Sequence, residues 1–339
     1  MRKLLVLLFA LISIAAWGIF SPYQGFKTER FVDIQRGTST SAIARELAEQ
    51  GVIRYPWQFL LVRAFRGSAR LQAGEYRFTE TANAHEVFDR IARGDVYFFE
   101  FTVPEGSNMF DIAESLAAHN IMTAESFLHA AEDPTLIRDL VPAAKTLEGF
   151  LFPSTYRLTH STSAEALCKQ MTDTFRREWR RLTSGGAADP RRIVTLASLV
   201  EKETSVPEER PLVASVFSNR MAKGLRMECD PTTIYAALLD HRYKGAIHRS
   251  DLASRNPYNT YQNAGLPPGP IANPGTQALT AALAPAQTAY LFFVAKPEGG
   301  SHKFSANMAE HEKAVAAYRH ASRKNRKREA APHASRKKS

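Results

Sequence analysis

Residues 34–53 (IQRGTSTSAIARELAEQGVI) and 103–122 (VPEGSNMFDIAESLAAHNIM) carry one pattern twice, at a constant offset of 69 positions. Gly37 aligns with Gly106, Ile43 with Ile112, Ala44 with Ala113, Leu47 with Leu116 and Val52 with Ile121. Each copy reads as a short strand, a glycine turn and an amphipathic helix with apolar residues at i, i+1 and i+4. Between the copies, residues 73–78 (AGEYRF) read as a strand and residues 83–93 as a short helix. A small βα unit used twice favours modest modules over one large continuous sheet.

The form G-(S/T)…IA..L after a strand resembles the LysM module, which binds the N-acetylglucosamine-containing chains of cell walls. Ahead of this region, Arg2 and Lys3 precede Leu4–Phe20, a stretch of 17 uncharged residues that ends at Ser21-Pro22. Such a stretch is at the short end for a membrane span and long for a signal-peptide core. A small-x-small site at Ser13-Ile14-Ala15 has no polar segment leading up to it, so an uncleaved anchor is expected. The preceding basic residues place the N-terminus in the cytoplasm, and the rest of the chain outside the inner membrane of a bacterium-like cell.

The net charge of +10 invites a nucleic-acid reading, but residues 322–339 hold eight Lys or Arg and one Glu, which is +7 of the total. The basicity belongs to a solvated tail and not to a groove, so no nucleic-acid partner is expected. Cys168 and Cys229, the two cysteines, read as unpaired thiols. The absence of HExxH, CxxC, P-loop and GxGxxG patterns leaves no metal or cofactor to expect.

The second half carries the chemistry. After LEGFLFPSTYRL (147–158) comes a long amphipathic helix, about 164–182, broken at Gly185-Gly186. Asp189-Pro190 then signals the cap and first turn of another helix, which extends to about Thr204 and contains TLASLVEKET (195–204). Stepping about 100° per residue puts Thr195, Ser198 and Lys202 on the water-facing side. Glu201 and Glu203 fall on the apolar side at about 160° from one another, too far apart to share one site. At least one therefore enters an interior or a cleft, and periodicity does not say which. A carboxyl in such a place is held protonated to higher pH, as a sugar-cleaving acid requires. Asn219-Arg220 and Asp230-Pro231-Thr232 follow. The segment NPYNTYQNAGLPPGPIANPG (256–275) then offers amides and tyrosine rings suited to sugar hydroxyls and pyranose faces. Residues 290–315 read as a hairpin with a buried aromatic strand and a closing helix.

The strings LEGFLFPSTYRL, ASLVEKET, NRM…DPTTIY, PYNTYQNAGLPPGPIANPG and FFVAKPEGGSHKFS occur in that order and together resemble the YceG-like endolytic murein transglycosylases, the MltG family. The resemblance covers nearly the whole chain. It implies an α+β protein with an N-terminal transmembrane helix (1–22), a LysM-like region (23–140) and a mixed α/β catalytic domain (141–320), before a basic disordered tail (321–339). It implies a single-pass inner-membrane enzyme that cuts nascent glycan strands internally at the MurNAc–GlcNAc β-1,4 bond, leaving 1,6-anhydro ends. Partners would be peptidoglycan strands, the inner membrane and, as candidates, the peptidoglycan synthases called penicillin-binding proteins. By the family's E-K-E triplet the catalytic acid is expected to be Glu201, acting first as acid and then as base. Glu148, Asn219, Asp230, Asn259 and Tyr261 are candidate substrate-binding or supporting groups. Cys229 departs from the pattern, since a polar residue such as Thr is expected before Asp230-Pro231. Two rivals are a hydrolytic muramidase with Glu148 as second carboxylate, and a non-catalytic wall-binding scaffold.

Overall fold

Helix α1 (Arg2–Phe20) opens the chain with its apolar side chains exposed along most of its length. The computed structural model describes residues 2–330, apart from 68, 185 and 187 and from the side chains of residues 11 and 324–330. Among these, α1 is the one helix long and apolar enough to cross a membrane. Its last turn differs from the rest. Ile19 is buried, and the Gly18 carbonyl accepts a hydrogen bond from Gln58 Nε2 at 2.6 Å.

The chain divides into two units, and the first holds residues 1–101 and 157–162. Strands β1 (Arg30–Ile34) and β2 (Gly74–Phe78) pair antiparallel, with Val32 opposite Tyr76. Helices α2 (Thr40–Glu49), α3 (Pro56–Phe65) and α4 (Ala84–Arg93) complete the unit. The alternation that sends Val32 and Ile34 inward meets Ile43 and Leu47 of α2, Phe59 of α3 and Phe88 and Ile91 of α4 in one core. Each such side chain contributes about 1.5–3 kcal/mol by leaving water. Ser39 Oγ caps α2 by accepting from Ala42 N, and Asn83 with Glu86 forms a reciprocal cap on α4. Residues 157–162 rejoin this unit through His160. Its ring packs 4.4 Å from that of Phe31, and its Nδ1 lies 3.1 Å from the buried Glu75 carboxylate.

The second unit holds residues 102–156 and 163–339, and the division falls within two strands that pair with one another, β3 (Phe99–Thr102) and β4 (Thr155–Leu158). The second repeat copy packs in the second unit as α5 (Met109–Ala118), which buries Ile112, Ala113 and Leu116 and meets α6 (Ala124–Ala131). Helix α6 in turn packs on α7 (Ala164–Thr183), which buries Leu167, Met171, Phe175 and Trp179. Thr183 ends α7 and Ser184 takes a left-handed conformation with φ of 48°, while Gly185 of the expected break lies outside the described residues.

Helix α8 (Pro190–Glu203) runs through the middle of this unit and packs against α9 (Arg210–Ala222), α10 (Asp230–Leu239) and α12 (Thr276–Leu283). A short helix, α11 (Arg249–Leu252), precedes the proline-rich loop. The hairpin of β5 (Phe292–Ala295) and β6 (His302–Ser305) pairs antiparallel, with Phe293 opposite Phe304. Helix α13 (Met308–Ala330) packs on it. α13 corrects the expectation of a disordered tail from residue 321. Its alanine, lysine, arginine and glutamate residues are strong helix formers and carry the helix on to Ala330. Residues 331–339 lie outside the described residues. The mixture of helices with three two-stranded sheets is an α+β fold. Cys168 and Cys229 are both unbridged and buried.

Candidate functional site

Asp189 starts α8 by accepting hydrogen bonds from the amides of Arg191 and Arg192, and Pro190 fills the first turn. The water-facing side assigned to this helix from its periodicity holds for Lys202, which is exposed, but not for the other two residues. Thr195 and Ser198 are buried, because neighbouring helices cover that part of the helix. Their hydroxyls donate to the carbonyls of Arg191 and Thr195, and Ser198 Oγ also accepts from Ile271 N. A hydroxyl satisfied within its own helix can be buried at little cost. The helix therefore presents Glu201 and Glu203 to two different protein environments at its C-terminal end.

Glu201 meets a cation. Its Oε1 accepts from Arg210 Nη2 at 2.8 Å and its Oε2 from Gly275 N at 2.9 Å. The carboxylate is 5% exposed and the guanidinium 8%. Burial pushes this carboxyl up, while the Gly275 amide and Arg210 pull it down. The turn of the second repeat copy closes over the same spot. Gly106 has φ of 76° and lies against the Glu201 side chain, and its carbonyl accepts from Lys202 Nζ at 3.0 Å. A side chain at residue 106 would be strained there, which is the work the aligned glycine does.

Glu203 instead lines a cavity of about 310 Å³ together with Arg220, Cys229, Asp230, Tyr261 and Phe292. Its Oε1 accepts from Cys229 Sγ at 3.0 Å, and among the described residues it forms no ion pair. Burial, with the nearby Asp230 charge, pushes its carboxyl up. Asp230 Oδ1 accepts from the Tyr261 hydroxyl at 2.6 Å, so these two sequence candidates meet at the cavity. On its far wall, Arg220 donates to the carbonyls of Arg226 and Leu291 and pairs with Glu228 at 2.5 Å. The Arg220 guanidinium also sits 5.4 Å from the centre of the Phe292 ring. His311 stacks on Phe292 with ring centres 5.0 Å apart, and burial beside Arg220 pulls its imidazole down, towards the neutral form.

The other three candidates lie elsewhere. Glu148 is buried and accepts from Met109 N and Asn273 Nδ2, and it lines a different cavity with Tyr235 and Tyr258. Asn219 donates to the carbonyls of Thr288 and Tyr290, tying α9 to the lead-in of β5. Asn259 is fully buried inside the proline-rich segment. Its Nδ2 donates to three carbonyls (Asp251, Leu252 and Ser254), and its Oδ1 accepts from Thr233 Oγ1 and Tyr261 N. None of the three lines the Glu203 cavity.

A profile of the YceG-like family matches residues 32–317, most of the chain. The chain belongs to the YceG-like family. This YceG-like chain is 33% identical over 311 residues to the endolytic murein transglycosylase of Bacillus subtilis (strain 168), which covers 86% of this chain and 85% of that one. The endolytic murein transglycosylase of Streptococcus pneumoniae (serotype 2, strain D39) is 26% identical over 316 residues, 84% of this chain and 57% of that longer protein. In structure, the YceG-like fold matches the crystal structure of a YceG-like protein of Listeria monocytogenes with a TM-score of 0.56 at 29% identity. The match covers 85% of this chain and 99% of that one.

Sequence reasoning missed Arg220, Cys229 and His311 as neighbours of Glu203. Arg220 had a signal, since it adjoins the candidate Asn219 on α9. Cys229 had another, as a thiol where a polar residue was expected. His311 had none, because it reaches the cavity from a closing helix more than 100 residues away in the chain.

Proposed function

We propose that this chain is a lytic transglycosylase that cleaves peptidoglycan glycan strands at the Glu203 cavity, with Glu203 and not Glu201 as its acid. The observation that carries the choice is the pairing of the two glutamates. Arg210 and an amide hold both oxygens of Glu201, whereas Glu203 faces an open cavity with a single thiol donor. An acid must keep its proton near neutral pH and reach the leaving oxygen. A carboxyl whose two oxygens are held by a guanidinium and a backbone amide is not free to reach it. The family triplet thus supplies the residue type, and the geometry favours its second glutamate.

In the proposed reaction Glu203 gives its proton to the glycosidic oxygen as the bond from that oxygen to the muramoyl C1 breaks. The muramoyl C6 hydroxyl closes on C1, and its proton passes to the Glu203 carboxylate. The acid is restored and no water is consumed. One carboxyl serves both steps, so no second acid at retaining or inverting distance is needed. The tyrosine and phenylalanine rings of the cavity suit pyranose faces. Asp230 shares the cavity, and a hydrolytic reading would make it the second carboxylate in place of the distant Glu148. Helix α1 serves as the anchor in this reading, with the N-terminus cytoplasmic and the cavity outside the inner membrane among nascent strands.

The test is digestion of purified peptidoglycan by wild type, Glu203→Gln and Glu201→Gln, followed by mass spectrometry. Wild type should give ends one water lighter than reducing ends, Glu203→Gln should lose roughly 10²–10⁴-fold in rate, and folded Glu201→Gln should still cut. A near-wild-type rate from Glu203→Gln would overturn the assignment of the acid, and reducing ends would overturn the reaction.

A further inference from the structure

Cys229 occupies the N-cap of α10 but does not act as a cap. Residues at that position ordinarily turn a side-chain oxygen back onto the first amides of the helix. Here φ and ψ are −100° and 111°, as a cap requires, yet the side chain makes no capping hydrogen bond. Thr232 and Thr260 hold the backbone of Cys229 instead. Its amide donates to Thr260 Oγ1 at 3.1 Å, its carbonyl accepts from Thr232 Oγ1 at 2.7 Å, and the two threonine hydroxyls lie 2.8 Å apart. With its backbone fixed from both sides and its side chain buried, the thiol has one direction left, and it ends on Glu203 Oε1 at 3.0 Å.

We propose that Cys229 is a positioning residue for Glu203, a weak donor that aims the carboxyl into the cavity without drawing off its proton. The proposal rests on Glu203 being the acid. A hydroxyl at this place would donate more strongly, and a strong donor favours the ionised carboxylate over the acid. A thiol is a weak donor. It fixes which oxygen faces the wall and leaves Glu203 protonated to higher pH than a serine or threonine would. Burial and the adjoining carboxyl push the thiol itself well up, so it stays neutral and keeps its proton to donate. The other ionisable groups around Glu203 are Asp230 and Tyr261 beside it, Arg220, Glu228 and His311 around the cavity, and His302 of β6. None of them is altered by exchanging the sulfur.

The experiment compares the full chain with Cys229→Ser and Cys229→Ala, measuring kcat/KM on purified peptidoglycan across pH. The limb on which activity falls as pH rises reports loss of the acid's proton. Serine should move that limb to lower pH. Alanine should move it to higher pH by about one unit, the loss of one hydrogen bond to a charged group. Alanine should also lower kcat more than it raises KM, and serine should restore kcat below its shifted limb. Coincident limbs for all three proteins would overturn the proposal while Glu203→Gln stays inert. An active Glu203→Gln would instead remove the reading on which it depends.

Discussion

Arg210 and Glu201 face each other at 2.8 Å with both groups almost wholly removed from water, while Glu203, two residues on, forms no ion pair among the described residues. In the proposed reading, one guanidinium thereby sets the structural role of Glu201 apart from the acid role of Glu203. The Coulomb term inside a protein is large, and so is the cost of leaving one partner behind.

Glu201→Gln should therefore unfold more easily and still cut glycan once folded. Breaking a buried ion pair by removing one partner typically costs about 3–5 kcal/mol. The lower end is expected here, because Glu105 lies 3.7 Å from Arg210 and retains part of the attraction. Urea unfolding midpoints give the loss directly. Arg210→Met added to Glu201→Gln should recover part of it, and a double variant no more stable than the single one would show that the pair is not the cause.

Stability should fall with rising pH through the weakly acidic range, and Glu148 should be a principal reason. Burial pushes its carboxyl from 4.5 up to about 7, against the pull of the Met109 amide and Tyr235. Between those values the native chain keeps a proton that the unfolded chain has released, so each step up in pH favours unfolding. The loss is complete above about 7 and amounts to about 3 kcal/mol. Glu201 and Glu203 are raised as well and add to the slope in the same sense. Unfolding midpoints at several pH values should show a flatter slope in Glu148→Gln than in wild type.

Asn259→Ala should lower the melting temperature sharply although the residue does not line the Glu203 cavity. Its amide serves three backbone carbonyls and its oxygen two donors, all within the fold. Leaving several of these unmet should cost about 3 kcal/mol. Asn259→Asp is nearly the same size but turns an acceptor onto those carbonyls, so it should be no better than alanine. Thermal unfolding of both variants checks this, and full stability in the aspartate variant would contradict it.

A chain that begins at Trp17 should leave membranes and keep its stability, whereas one that begins at Tyr23 should leave membranes and lose some. The last turn of α1 puts Ile19 in the core of the first unit and offers the Gly18 carbonyl to Gln58. Removing both should cost about 3 kcal/mol, from the burial of one isoleucine and one unmet hydrogen bond. Sedimentation with membrane vesicles and thermal unfolding, applied to both truncations, separate the two effects.

What could be read beforehand was whatever local chemistry decides. Asp189-Pro190 announced α8, the aligned Gly37 and Gly106 announced two turns, and both glycines carry positive φ. The hairpin over 290–315 and its closing helix followed from the same kind of signal. The environment of each glutamate was hidden because it depends on elements distant in sequence. Gly275 and the Gly106 turn reach Glu201 from opposite ends of the second unit, and Cys229, Tyr261 and His311 reach the Glu203 cavity from three more places. A helical wheel sees only one helix. It put Ser198 on the wet side by its angle, when Ser198 meets its needs at Thr195 and Ile271 and is fully buried.

The path of the chain sets a timetable for synthesis. The first unit comprises residues 1–101 and 157–162, with His160 seated against Phe31 and Glu75. A chain emerging from the ribosome N-terminus first has strands β1 and β2 and helices α1 to α4 in hand long before residue 160 appears. It must then release residues 102–156, the opening part of the second unit, before the first can take up its final segment. The first unit is thus interrupted by the opening part of the second, and a translational pause anywhere before residue 162 would hold both of them open together.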